Sequence, residues 1–160
     1  GSEINIEENL SPLEIGRGRV LQEGNLIALL NFGARLGACQ EAIELLSRKG
    51  FKITLVDARF AKPFDNNLMD NILDNHKYVL TVEEGSIGGF SSIVLDYIHN
   101  KRKKNTLSIV KNLIFPDKFI DHNSPDNQYK EIGMDAESIE KNILSIIAPK
   151  DINLKAIENI

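Results

Sequence analysis

The sequence predicts an α/β fold, a three-layer αβα sandwich around a mostly parallel sheet of about five strands. Short apolar runs of strand length alternate with segments of helical period along most of the chain. The apolar runs are near-continuous, as expected for strands covered by helices on both faces. Right-handed crossovers then leave few topologies.

Taken in order, IGRGRVLQ (Ile15 to Gln22) offers an edge strand before the alternation starts. LIALLN (Leu26 to Asn31) is a strand buried on both faces. After Phe32-Gly33, Leu36, Cys39, Ile43 and Leu46 recur at three and four, which is a helical stripe that Lys49 and Gly50 stop. KITLVD (Lys52 to Asp57) is β-branched and extended. Asp65 is placed to cap a short helix bearing Leu68, Met69, Ile72 and Leu73. Tyr78 to Val82 gives a third core strand, Phe90 to Lys101 a helix, and Leu107 to Phe115 a further strand. Ser124-Pro125 and Asp135 cap two terminal helices, the second burying Ile139, Ile143, Leu144 and Ile147.

Three segments follow from this. Residues 1–14 read as an expression scar, Gly1-Ser2, plus an acidic interdomain linker; residues 15–148 form the domain; residues 149–160 are a tail expected to fray. With no initiator Met, the chain is expected to be part of something longer.

The chain is 42% hydrophobic and 26% charged, with net charge −4, a soluble globular composition that disfavours nucleic acid or an anionic membrane as partner. No apolar run approaches the roughly 18 residues of a membrane helix, and no signal peptide opens the chain. The basic run KRKKN (Lys101 to Asn105) reads as a solvated helix end. One cysteine, Cys39, excludes an intrachain disulfide and lies on an apolar stripe as a small hydrophobe.

Ligands of open parallel sheets gather at the carboxyl ends of the strands, so four loops carry the candidates. In VLTVEEGSIGGF (Val79 to Phe90), Gly85, Gly88 and Gly89 match neither a dinucleotide fingerprint nor a Walker loop. Glu83 and Glu84 at its mouth would repel phosphate, so the loop reads as a strand-to-helix turn or a contact surface for another domain. In NFGARLG, Arg35 is expected in a surface ion pair. In ARFAKPFD, Arg59 and Lys62 are expected to pair with Glu83 and Glu84. The loop PDKFIDHNSPD holds Asp117, Asp121 and His122, with His122 a loop hydrogen-bonder; adjacency of Asp121 and His122 does not make a proton relay. His76 and His99 lie at polar helix ends and invite no special reading. No catalytic, cofactor-binding or metal-ligating set emerges from these residues.

The strings VDARFAKPFD (Val56 to Asp65), VLTVEEGSIGGFSS (Val79 to Ser92) and FPDKFIDHNSPDNQYKEIGMD (Phe115 to Asp135) closely resemble the carboxyl-terminal domain of the 1-deoxy-D-xylulose-5-phosphate synthases. These are transketolase-like, thiamine-diphosphate-dependent enzymes. IGRGRVLQEGNLIALLNFG fits the start of that domain, and the resemblance spans about Ile15 to Ala148. It implies a full-length homodimer that joins pyruvate to D-glyceraldehyde 3-phosphate with release of CO2, feeding isoprenoid, thiamine and pyridoxal synthesis. Thiamine diphosphate and Mg2+ would be held by the other two domains, and this domain would be structural and inactive alone, with none of the cofactor contacts. The implied partners are those two domains and a second subunit; the expected compartment is a bacterial cytoplasm, with a plastid left open. Ser91 stands where relatives usually have Gly. The alternatives are the matching domain of a transketolase or of a 2-oxo-acid dehydrogenase β subunit, or a free-standing flavodoxin-like binding module.

Overall fold

The structure is a computed structural model describing residues 12–147 and residue 151. The proposed scar and most of the linker and tail lie outside the described residues. Five strands form one sheet: β1 (Arg19–Gln22), β2 (Ile27–Phe32), β3 (Ile53–Asp57), β4 (Tyr78–Glu83) and β5 (Ile109–Leu113), in the order β1-β3-β2-β4-β5. β2, β3, β4 and β5 run parallel, and β1 pairs antiparallel with β3, Arg19 opposite Asp57.

The helices are α1 (Leu36–Arg48), α2 (Asn66–Asn75), α3 (Phe90–Asp96), α4 (Pro125–Glu131) and α5 (Ala136–Ile146). Because side chains alternate across a strand, each central strand feeds two cores. Ile27, Leu29, Ile53, Leu55, Tyr78, Leu80 and Val82 face the core capped by α1 and α5, with Cys39, Leu46, Ile139 and Ile143. Ala28, Leu30, Val56 and Val79 face the opposite core under α2 and α3, with Met69, Ile72, Leu73 and Val94. These are the three layers expected.

The predicted caps form. Asp65 accepts from the Leu68 amide, Ser124 from Asn127 and Asp135 from Ser138. Other expectations need correction. The helix expected from Phe90 to Lys101 has those bounds, but its last five residues, Tyr97–Lys101, wind as a π turn. The last strand is shorter than Leu107 to Phe115, since Leu107 is 95% exposed and pairing starts at Ile109. KRKKN is not merely a solvated end. The Arg102 side chain, 1% exposed, donates from Nε to Asp70 at 2.9 Å and from Nη2 to Asp74, while Lys104 reaches Asp74 at 3.0 Å. The π turn places Arg102 back over α2.

His76 is likewise more than a polar helix end, being 8% exposed. Nδ1 lies 3.0 Å from the Ile72 carbonyl, an acceptor, so Nδ1 carries the proton and Nε2 accepts from the Thr54 hydroxyl at 2.7 Å. Thr54 Oγ1 in turn accepts from the Gly24 amide at 2.8 Å. Asp151 is 7% exposed and takes hydrogen bonds from Lys77 Nζ and Tyr78 OH, both at 2.6 Å; the rest of the expected tail lies outside the described residues.

Candidate functional site

The sheet order reverses at β2. The chain goes from β2 to β3 on one side and then crosses to β4 on the other. The crevice of such a fold opens between the loops that follow β2 and β4, which is where a doubly wound domain takes its ligand. Here that crevice is closed on both sides by the protein itself. On the α3 side, Phe32 stacks on Phe90 with ring centroids 4.9 Å apart and planes 12° apart. On the α1 side, the Arg35 guanidinium lies 3.7 Å from the centroid of the Tyr129 ring and donates to the Met134 carbonyl at 3.0 and 3.3 Å. Tyr129 OH donates to Glu84 Oε1 at 2.6 Å, with Arg35 Nη1 3.9 Å from the same oxygen. That hydrogen bond to the carboxylate, aided by partial burial, raises the Tyr129 phenol above its ordinary value. Arg35 makes the expected ion pair, with Glu84, but its side chain is only 15% exposed and also ties α1 to the chain before α5.

The glycine loop turns on Glu83. This residue ends β4, is 3% exposed, and points its carboxylate at the first turn of α3. Oε2 accepts from the Phe90 amide and Oε1 from the Ser91 amide, each at 2.7 Å. The residue at the helix's N-cap position is Gly89, which has no side chain to cap with. The strand therefore supplies the capping oxygens that a Ser, Thr, Asp or Asn would normally provide. It also supplies the negative charge that a helix N-terminus favours.

The glycines follow from that carboxylate. A Cβ at Gly89 would overlap Glu83 Oε2 and lie 2.9 Å from Cδ, and one at Gly85 would lie 3.1 Å from Oε2. Gly89 has φ −81, so it is required by close approach, whereas Gly88, at φ +107, is required by its backbone angle. Ser91, 1% exposed, is an ordinary helical residue whose amide joins the cap.

The expected pairing of Arg59 and Lys62 with Glu83 and Glu84 does not form. Arg59 is left-handed, φ 56, and its Nε lies 3.6 Å from Asp57 at the end of its own strand. Lys62 is exposed and precedes Pro63 in a cis bond. Asp117, Asp121 and His122 are exposed on the loop after β5, where the Asp121 carbonyl accepts from Gln128 Nε2 at 3.0 Å. The structure does not bring them onto Glu83 or Arg59. Sequence reasoning missed Tyr129 as a partner of Glu84 and misread Glu83. Its one signal was a helix start, Gly-Gly-Phe, with no capping side chain of its own.

Among the described residues no group of three or more His, Cys, Asp or Glu is placed to hold a metal ion. The amides that a diphosphate would use at the start of α3 already bind Glu83. These residues do not fit a cofactor's diphosphate and its metal. Two grooves open at this end of the sheet: one of about 640 Å³ between the loops after β4 and β5, lined by Ile114, Phe115 and Pro116 among others, and one of about 490 Å³ beside Ala34, Arg35 and Tyr129. Ile87, 82% exposed, and Phe119, 102% exposed, flank the first.

A five-stranded, mostly parallel α/β sandwich with a self-filled switch point defines the class. The transketolase C-terminal domain family model matches residues 16–139, and the chain belongs to that family. Among solved structures it is similar to a split-gene transketolase in an inactive beta4 tetramer (TM-score 0.74, 26% identity, 88% of this chain and 46% of that one). It shares its fold with transketolase from Campylobacter jejuni (TM-score 0.59, 16% identity, 81% of this chain and 18% of that one). A Pichia stipitis transketolase mutant gives TM-score 0.57 at 16% identity, over 80% of this chain and 17% of that one. The chain therefore spans less than half the length of each of these proteins. No helix among the described residues is long and apolar enough to cross a membrane.

Proposed function

We propose that this chain is the third domain of a 1-deoxy-D-xylulose-5-phosphate synthase and acts as a structural, interdomain module without chemistry of its own. The observation that supports it most is where the resembling segments lie. VDARFAKPFD, VLTVEEGSIGGFSS and FPDKFIDHNSPDNQYKEIGMD belong to three separate loops, and all three cluster at the carboxyl end of the sheet. At that end the switch-point acids are spent on structure, Glu83 on the α3 cap and Glu84 on Tyr129. In this reading the reaction, joining pyruvate to D-glyceraldehyde 3-phosphate with loss of CO2, and its thiamine diphosphate and Mg2+ belong to the other domains of a homodimer.

A second reading, the carboxyl-terminal domain of a transketolase, draws support from the 26% identity with the split-gene transketolase. Assay of the full-length gene product separates the two. Pyruvate-dependent CO2 release with D-glyceraldehyde 3-phosphate is the expected result, and ketose-to-aldose transfer without it would establish the second. The isolated chain is expected to give no heat with thiamine diphosphate in calorimetry; micromolar binding would overturn the structural role.

A further inference from the structure

We propose that the carboxyl end of β3 is a binding site for a phosphomonoester, gripped by Arg19 and Arg59. The site goes beyond the interdomain reading and does not depend on which enzyme the chain comes from. Its first sign is a guanidinium with nothing to hold. The Arg59 side chain is only 21% exposed, and its Nε lies 3.6 Å from Asp57 Oδ2, too far for a hydrogen bond. Among the described residues its side chain makes no other polar contact. Five N–H donors packed this far into a protein normally have partners.

The backbone is the second sign. Among the described residues Arg59 alone, other than glycines, has positive φ, at 56. A residue with a β carbon is disfavoured there and glycine is not. Such residues gather at ligand clamps and active sites, where strain holds a side chain in place. Here the left-handed turn returns the guanidinium to Asp57, two residues back.

β1 delivers a second cation to the same point. Its register sets Arg19 opposite Asp57, and Arg19 Nε donates to the same Oδ2 at 3.2 Å. Gly18 allows the approach, since a Cβ there would lie 2.6 Å from Leu68 Cδ2 and 3.2 Å from the Asp57 carbonyl. Two guanidinia thus share one carboxylate oxygen, and the Nη groups of both lack partners among the described residues. Asp65 offers them nothing, because it accepts from the Leu68 and Gly18 amides and from Arg17. Lys62, exposed on the same loop, forms no ion pair among the described residues. Arg19, Arg59 and Lys62 against Asp57 leave two positive charges uncompensated, which suits a phosphomonoester dianion better than a second carboxylate. Guanidinium forks match phosphate oxygens two at a time. The position also fits, at the end of the sheet where open α/β folds hold ligands and one strand over from the closed crevice.

Glycerol 2-phosphate titrated into the 160-residue chain at constant ionic strength tests this, followed by NMR at the arginine Nε–H signals. The signals of Arg19 and Arg59 are expected to shift and saturate in the millimolar range, well above the micromolar cofactor binding considered earlier. Arg19→Ala and Arg59→Gly should each weaken binding about tenfold or more, and Arg48→Ala, at the far end of α1, should leave it unchanged. Arg59→Gly should melt no lower than the parent, because glycine takes the left-handed angle freely, so its loss of binding is not a loss of fold. Equal shifts at Arg48 would overturn the site in favour of general surface charge. Acetate binding as tightly as glycerol 2-phosphate would overturn it in favour of a carboxylate, such as an acidic side chain of another domain. Full affinity in Arg59→Gly, or a lowered Tm, would overturn it as well, since Arg59 would then serve the fold alone.

Discussion

Replacing Glu83 with alanine should be the most damaging single change at the functional end of this domain, although the residue touches no substrate. The carboxylate receives two amide hydrogen bonds of 2.7 Å and is 3% exposed. A hydrogen bond to a charged group contributes about 1.5–3 kcal/mol, and loss of a helix cap costs about 0.5–2 kcal/mol. These overlap, because the cap is those bonds, so we expect about 3 kcal/mol for Glu83→Ala. Glu83→Gln keeps one acceptor oxygen and should lose about half as much, roughly 1.5 kcal/mol. In a domain of this size each kcal/mol moves Tm by about 2–4 °C, so the alanine variant should melt roughly 6–12 °C lower.

Urea titration with a fixed m-value reads the change directly. A double-mutant cycle with Gly89→Ala isolates the cause. In the parent the new methyl overlaps the carboxylate, and overpacking of that kind costs about 1–3 kcal/mol. With Glu83 already alanine the obstruction is gone, so the two losses should fall short of additivity by at least 1 kcal/mol. A Glu83→Ala loss below 1 kcal/mol, or strict additivity with Gly89→Ala, would refute the capping account.

Three further outcomes are expected. Arg102→Ala should cost about 2 kcal/mol in the same titration, because it empties the space packed by a side chain only 1% exposed, while Asp70 and Asp74 stay solvated. Arg102→Lys should not restore the loss, since an ammonium cannot span both carboxylates as the guanidinium fork does. Asp74 is held below the usual carboxylate value, first by its hydrogen bond from Lys104 and then by the charges of Lys104 and Arg102. Its contribution is therefore complete above the unfolded value of about 3.9 and is lost as pH falls through the lowered native value. Asp74→Asn should flatten the fall in stability below about pH 4, read by melting curves across that range. Burial pushes the Cys39 thiol up to about 12, so Ellman's reagent at pH 8 should leave it untouched in the folded chain and label it in urea.

Much of the fold was legible because its signals are local. LIALLN and KITLVD are apolar on both faces, and Asp65, Ser124 and Asp135 sit one position before helical periods begin. The errors fall where a side chain crosses between elements. Arg102 looks like one of several cations at a helix end, and only the π turn reveals that it reaches α2. His76 follows α2 on a polar stretch, yet Thr54 of the neighbouring strand lies under it. The pairing of Arg59 with Asp57 instead of Glu83 follows from the left-handed turn at Arg59, which folds its side chain back along its own strand. Glu83 is the clearest case. Adjacent acids before a glycine loop suggest exposed charge, but strand alternation sends one inward to the helix and leaves the other for Tyr129.

The antiparallel first strand has an engineering consequence. The chain arrives beside Pro63 and Asp65 at one end of the sheet, while Asp151 is fastened to Lys77 and Tyr78 at the other. The six residues of β4 separate these ends by about 20 Å. A circular permutant joining the two would need a flexible connector of roughly 13 residues, where many domains manage with far fewer. By the same token, a reporter joined directly at Asp151, in place of the residues after it, is anchored at the end of the sheet opposite Ile87 and Phe119.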